Sequence, residues 1–209
     1  MTARVEHLTT SGIFSLDGQD FEVDNNVWLL GDDEEVLVLD APHQLAPIVE
    51  AIAGRRVHAV LCTHGHNDHV TVAPELGAQT GAPVLLHPAD RVLWDMTHPG
   101  TPPTGLLADG DVLHVAGTDV HVLHTPGHAP GAVCLSVPEL EVVFSGDTLF
   151  AGGPGATGRS YSDFPTILDS IRERLFTLPP QTRVLPGHGD ETTIGAEAPA
   201  YEEWVRRGS

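Results

Sequence analysis

The chain has 209 residues, 41% of them apolar and 19% charged, and a formal net charge of −19 from 29 acidic and 10 basic residues. This composition is that of a globular protein with a sizeable core; it excludes a disordered chain, and no apolar run approaches the ~18 residues of a membrane span. All the basic residues are arginine, and so acidic a surface repels a phosphate backbone, which argues against nucleic acid as a partner. The start, Met1–Glu6, lacks the apolar core and cleavage site of a signal peptide, so a cytoplasmic protein is expected.

Short apolar runs alternate with amphipathic stretches, broken by Gly and Pro. Asn26–Leu30 and Glu35–Leu39 read as strands around the turn at 31–34. His43–Ala53 reads as a helix, with Leu45, Ile48, Val49 and Ile52 at helical spacing. Val57–Cys62 is a buried strand that runs directly into Thr63-His64-Gly65-His66. A helix is expected at Thr71–Thr80, capped by Gly81, then a short strand at Pro83–Leu86 and a Pro-rich loop at Thr97–Gly105. Strands follow at Asp111–Val115, Asp119–His124, Ala132–Val137 and Val142–Ser145, a helix at Pro165–Leu175, a strand at Arg183–Leu185 and a helix at about Ala196–Arg207. Periodicity alone supports mixed α/β; strand pairs followed by helices, twice over, suggest a four-layer αβ/βα sandwich. No linker divides the chain, so a single domain, 1–209, is expected. Cys62 and Cys134 both lie in apolar runs and read as small buried hydrophobes rather than disulfide partners.

Thirteen histidines are the anomaly, and five of them fall in sharply defined motifs. His64, His66, Asp68 and His69 place four possible ligands within six residues, just after a buried strand. Imidazole nitrogen and carboxylate oxygen suit zinc-like cations. In an extended turn His64 and His66 point the same way and can pinch one ion, while Asp68 and His69, opening a helix, can reach a second. Three more pieces sit at strand ends: Pro126-Gly127-His128, Gly146-Asp147-Thr148 and Pro186-Gly187-His188-Gly189. Glycine there lets the backbone bend sharply and bring a side chain close to an ion. The other eight histidines (7, 43, 58, 87, 98, 114, 121 and 124) match no motif and are expected in surface or structural roles.

His-x-His-x-Asp-His, Pro-Gly-His, Gly-Asp-Thr-Leu-Phe and Pro-Gly-His-Gly, in that order, resemble the metallo-β-lactamase superfamily over roughly residues 23–198. The resemblance implies the αβ/βα sandwich, with His64, His66 and His128 on one metal. It implies Asp68, His69 and His188 on a second, Asp147 bridging the two, and Asp40 as the acid supporting the ligand loop. Zinc is the expected metal, and the same ligands accept iron or manganese. Gly146–Gly153, through Gly158-Arg159, and Pro186–Glu197 resemble the short bacterial glyoxalase II branch. That branch implies a small-molecule thioester substrate, with Asp68 and Asp147 at the chemistry and Arg159 and Tyr161 contacting the thiol's peptide. The branch's Gly-Cys-Gly is here Gly155-Ala156-Thr157-Gly158, a departure that bears on glutathione itself. Two readings on the same scaffold compete with the thioesterase. One is a persulfide dioxygenase with a single iron on His64, His128 and Asp147; the other is a lactonase. A metal-binding protein without catalysis is a third alternative.

Overall fold

In the computed structural model, which describes residues 2–208, the chain opens with a hairpin that periodicity did not predict. Met1 and Ser209, the ends of the expected domain, lie outside the described residues. Strands β1 (Arg4–Leu16) and β2 (Gln19–Gly31) pair antiparallel over their full thirteen residues each. Asp17 and Gly18 close the hairpin with φ of 54° and 71°, the two positive values a type I′ turn requires. The expected strand Asn26–Leu30 is only the buried half of β2; its first six residues are largely exposed and carry no apolar run.

β3 (Glu35–Leu39) falls where expected, and α1 (Leu45–Ile52) starts two residues late because His43 is left-handed, with φ of 50°, and Gln44 is extended. β4 (Arg56–Leu61) delivers the first motif. The expected helix Thr71–Thr80 is two pieces, α2 (Asn67–Val70) and α3 (Ala73–Thr80), because Val72 is non-helical and Pro74 starts a new first turn. β5 (Val84–Leu86) leads to an unpredicted helix, α4 (Arg91–Thr97), and then β6 (Gly105–Leu106).

The second half runs β7 (Val112–Val115), β8 (Thr118–His124), β9 (Val133–Val137) and β10 (Val142–Gly146), close to the expected bounds. A small ribbon follows, β11 (Leu149–Phe150) with β12 (Gly153–Pro154), then α5 (Phe164–Ser170), which ends in a π-helical turn to Leu175. β13 (Arg183–Pro186) and β14 (Thr192–Thr193) precede α6 (Ile194–Glu197) and α7 (Tyr201–Arg207). Pro199 sits in a 3₁₀ turn between the last two helices, so the single helix expected there is broken.

The strands form two six-stranded sheets, ordered β1-β2-β3-β4-β5-β6 and β14-β13-β10-β9-β8-β7. Alternate residues of each central strand face opposite ways. Leu37, Leu39 and Leu61 meet Val122, Leu135 and Phe144 between the sheets. Val36, Val38 and Val60 face outward onto Ile48, Leu76 and Trp94, and Val143 and Val184 face outward onto Ile167, Ile171 and Trp204. Three apolar seams thus separate four layers, helix–sheet–sheet–helix. Burial on both faces explains why the central strands read as continuous apolar runs. Deleting a seam residue such as Leu37 would cost about 2–5 kcal/mol. Among the described residues no helix is long and apolar enough to cross a membrane.

Candidate metal centre

The C-terminal ends of β4, β8, β10 and β13 each release one of the expected ligand segments at the same end of the sandwich. Backbone hydrogen bonds sew these segments together: Val133 N to Thr63 O at 2.8 Å, Gly187 N to Gly146 O at 2.9 Å and Asn26 N to Gly187 O at 2.8 Å. His64, His66, Asp68, His69, His128 and Asp147 are all buried, and His188 is three-quarters buried. Their ligating atoms converge in three overlapping triads within 4.8 Å: His64/His66/His128, His64/His69/Asp147 and Asp68/His69/His188. Asp147 reaches both ends, with Oδ2 3.6 Å from His128 Nε2 and 3.4 Å from His188 Nε2, and Oδ1 3.4 Å from His69 Nε2. Gly187 makes this approach possible, since a Cβ there would lie 2.4 Å from Asp147 Oδ1.

Three of the five imidazoles are aimed by their other nitrogen. His69 Nδ1 donates to Asp40 Oδ2 at 2.8 Å, His128 Nδ1 to Ala156 O at 2.8 Å and His188 Nδ1 to Asp24 O at 2.7 Å. A ring whose Nδ1 carries the proton presents a lone pair at Nε2, so three lone pairs point inward. Asp40 lies where expected: its carboxylate also accepts from Thr63 N at 2.7 Å and Thr63 Oγ1 at 2.8 Å, and it holds a left-handed backbone, φ 61°, to do so. Thr63 Oγ1 lies 3.1 Å from His64 Nδ1 and carries the chain of contacts on to that ring.

This donor set fits cations. His64 Nε2 and His128 Nε2 each come within 3.0 Å of His66 Nδ1, a gathering of nitrogens that a cation between them would satisfy. Asp68 Oδ1 and Asp147 Oδ1 are buried without a hydrogen bond, which is costly for carboxylates unless a cation faces them. Burial, with neighbouring histidines, pushes His66 down to about 3. Burial works against a charged His188 as well, yet Asp147 and Asp68 raise it to about 10. His66 is therefore held neutral in the first cluster, whereas carboxylates face the histidines of the second.

Several contributors carry no sequence motif. Asp90, fully buried in the 3₁₀ turn before α4, accepts from Gly65 N at 2.7 Å and from Gly131 N, and so clamps two ligand loops together. Asn26 donates from Nδ2 to Pro186 O and Gly189 O, and Trp28 Nε1 also donates to Pro186 O, which fixes the loop bearing His188. Asn25 points the other way, into the ligands, with His43 behind it. An Asn-Asn pair entering a strand was the only signal, and it reads equally well as a turn.

Arg159 and Tyr161 lie outside the ligand cluster, on its rim. The Arg159 guanidinium packs 4.5 Å from the Phe21 ring and 5.8 Å from Phe14, and its Nη1 donates to Gln19 Oε1 at 3.0 Å. Ser160 N donates to Asp17 Oδ2 at 3.0 Å, so the loop leans on the tip of the β1–β2 hairpin. Tyr161, at φ 71°, is 48% exposed. Phe14 also meets the edge of His66 at 5.2 Å, which brings the hairpin over the first cluster.

A family model described as the metallo-beta-lactamase superfamily matches residues 21–188. The probable metallo-hydrolase YqgX of Bacillus subtilis is 35% identical over 186 residues, 82% of this chain and 88% of its own. The hydroxyacylglutathione hydrolase GloC of Haemophilus influenzae is 32% identical over 188 residues, 82% of this chain and 89% of its own. Among solved structures, TTHA1623 in a di-iron-bound form is 35% identical with a TM-score of 0.74, covering 84% of this chain and 93% of its own.

Proposed function

The chain belongs to the metallo-beta-lactamase superfamily, and from that premise we propose that it is a two-metal thioester hydrolase that cleaves S-acyl conjugates of a small thiol. The observation that carries the reading is Asp147, standing between two complete clusters and touching histidines of both. His64, His66 and His128 would hold one divalent cation and Asp68, His69 and His188 the other, with Asp147 shared. Zinc suits these donors, and the di-iron relative argues that iron suits them too. When bound, the two cations supply a water acidified from near 16 towards ~7 and Lewis-acid polarisation of a carbonyl oxygen. Asp68 Oδ1, buried and without a hydrogen bond, would orient that water, take its proton and return it to the departing thiolate as C–O replaces C–S. The rim takes the thiol half of the substrate: Phe14, Phe21 and Tyr161 offer apolar faces, and Arg159 offers a fork for a carboxylate. GloC, named for hydrolysis of a hydroxyacylglutathione, supports the substrate class. The net charge of −19 disfavours nucleic acid and favours a small-molecule substrate.

A mononuclear dioxygenase would use His64, His128 and Asp147 alone and leave His66, Asp68, His69 and His188 without work, which is why the hydrolase is preferred. Metal analysis of purified protein, paired with thiol release from S-lactoylglutathione, tests the choice. Two ions per chain with thiol release is the expected result. One iron per chain, with oxygen uptake on a persulfide and no thiol release, would overturn it.

A further inference from the structure

Asn25 is fully buried, and its amide reaches the second cluster. Nδ2 lies 3.1 Å from Asp68 Oδ2 and 3.3 Å from both His69 Nε2 and His188 Nε2. Those three atoms are 3.3 Å (His69 to His188), 3.2 Å (His188 to Asp68) and 3.6 Å (His69 to Asp68) apart. Four polar atoms thus stand at the corners of a nearly regular tetrahedron. A tetrahedral zinc site with bonds of about 2.0–2.1 Å has edges of about 3.3 Å. An amide nitrogen has two hydrogens, while three polar atoms face it at nearly equal distance, more than its hydrogen bonds can account for.

A carboxamide exchanges its oxygen and nitrogen by a half-turn, with almost no displacement of its other atoms. Behind the amide, Asn25 Oδ1 lies 2.7 Å from His43 Nε2. A neutral imidazole donates or accepts at that nitrogen according to tautomer, so His43 can support either orientation. The ring itself is fixed. His43 takes a left-handed backbone, and its imidazole packs so close to Gly12 that a Cβ there would lie 2.2 Å from Nδ1. Left-handed, non-glycine residues are costly and persist where the surroundings hold them.

We propose that Asn25 is a ligand of the second ion, giving its amide oxygen, with His43 holding that orientation by accepting the amide N–H. The proposal rests on the two-ion reading. It makes the centre asymmetric: three imidazoles and Asp147 would hold the first ion, while the four corners Asn25, Asp68, His69 and His188 would hold the second, with Asp147 as a fifth, shared ligand. It also takes His43 out of the group of histidines without a role at the site.

The test is Co²⁺ loading of the wild type, Asn25→Ala, Asn25→Asp and His43→Phe, with ions counted by elemental mass spectrometry and each binding step followed by visible absorption. Asn25→Ala should weaken the second ion by roughly 10–100-fold and change its spectrum, while the first ion binds as before and reports an intact fold. Asn25→Asp should restore the second ion, because a carboxylate oxygen can take the same vertex. His43→Phe should weaken it by a smaller factor. Two ions in the wild type with an unaltered second step in Asn25→Ala would overturn the ligand assignment alone. Asn25→Asp as weak as Asn25→Ala would show that the nitrogen faces Asp68, and would overturn it too. A single ion in the wild type would bring down the two-ion reading and the proposal together.

Discussion

The floor of the site and its rim are built by different rules. On the floor, seven candidate ligands come from four strand ends, nearly all are buried, and Asp40, Ala156 O and Asp24 O each aim one imidazole. On the rim, Ile13, Phe21 and Tyr161 are 43%, 37% and 48% exposed, and Arg159 is held by two ring faces and one amide oxygen. The floor is over-determined, as chemistry at fixed distances requires. The rim has slack, as recognition of a variable partner allows.

The contrast can be broken or sharpened by substitution. Asp147→Ala removes the carboxylate that stands between the two clusters; kcat should fall about 10³-fold or more and bound metal should fall with it. Unchanged turnover in a steady-state assay would end the two-metal account.

Asp90 tests the floor through pH. Burial pushes its carboxyl up to about 6, from an ordinary 3.8, against the pull of the Gly65 and Gly131 N–H groups. A carboxyl whose native pKa stands above its unfolded one holds its proton more tightly when folded. The stability this contributes is complete below about 3.8 and is lost as pH rises through about 6. Urea unfolding of the wild type, measured relative to Asp90→Asn, should therefore lose up to about 3 kcal/mol between pH 4 and pH 6.5. A flat difference would mean that Asp90 titrates as an ordinary surface acid.

Asp40→Asn loosens His69 and Thr63 without removing a ligand, and metal affinity should drop by roughly 10–100-fold in a chelator competition. Arg159→Ala, on the rim, should raise KM several-fold and leave kcat and metal content near wild type, the pattern of lost uniform binding. If Arg159→Ala loses metal instead, rim and floor are one unit and the contrast fails.

The same division decides what the sequence discloses. Metal ligands need particular side chains at short spacing, so His64-x-His66-x-Asp68-His69 and the glycine-flanked His128, Asp147 and His188 stand out in the linear chain. The central strands stand out too, because both of their faces are buried. Apart from Asp40, which the resemblance implied, the contacts that hold the ligands and the rim in place do not. Asp90 meets Gly65 and Gly131 across 25 and 41 positions, and Arg159 meets Gln19 across 140; no local pattern encodes such pairings. The β1–β2 hairpin escaped prediction because its outer half is exposed, although Asp17-Gly18 marked its turn. Helix ends shifted wherever a proline or a left-handed residue intervened, as at His43, Pro74 and Pro199.

That hairpin has an evolutionary consequence. It pairs without a bulge from Arg4–Gly31 to Leu16–Gln19, and its outer half extends past the β2–β3 pairing that ends at Trp28–Leu39, so lineages can lengthen it at the Asp17-Gly18 turn while Phe14 stays against His66. Adding one residue to each strand moves the turn by a single step and turns the tip over, whereas adding two to each keeps the same face toward the site. Insertions that preserve recognition should therefore come in fours, and a new substrate range should accompany the odd steps.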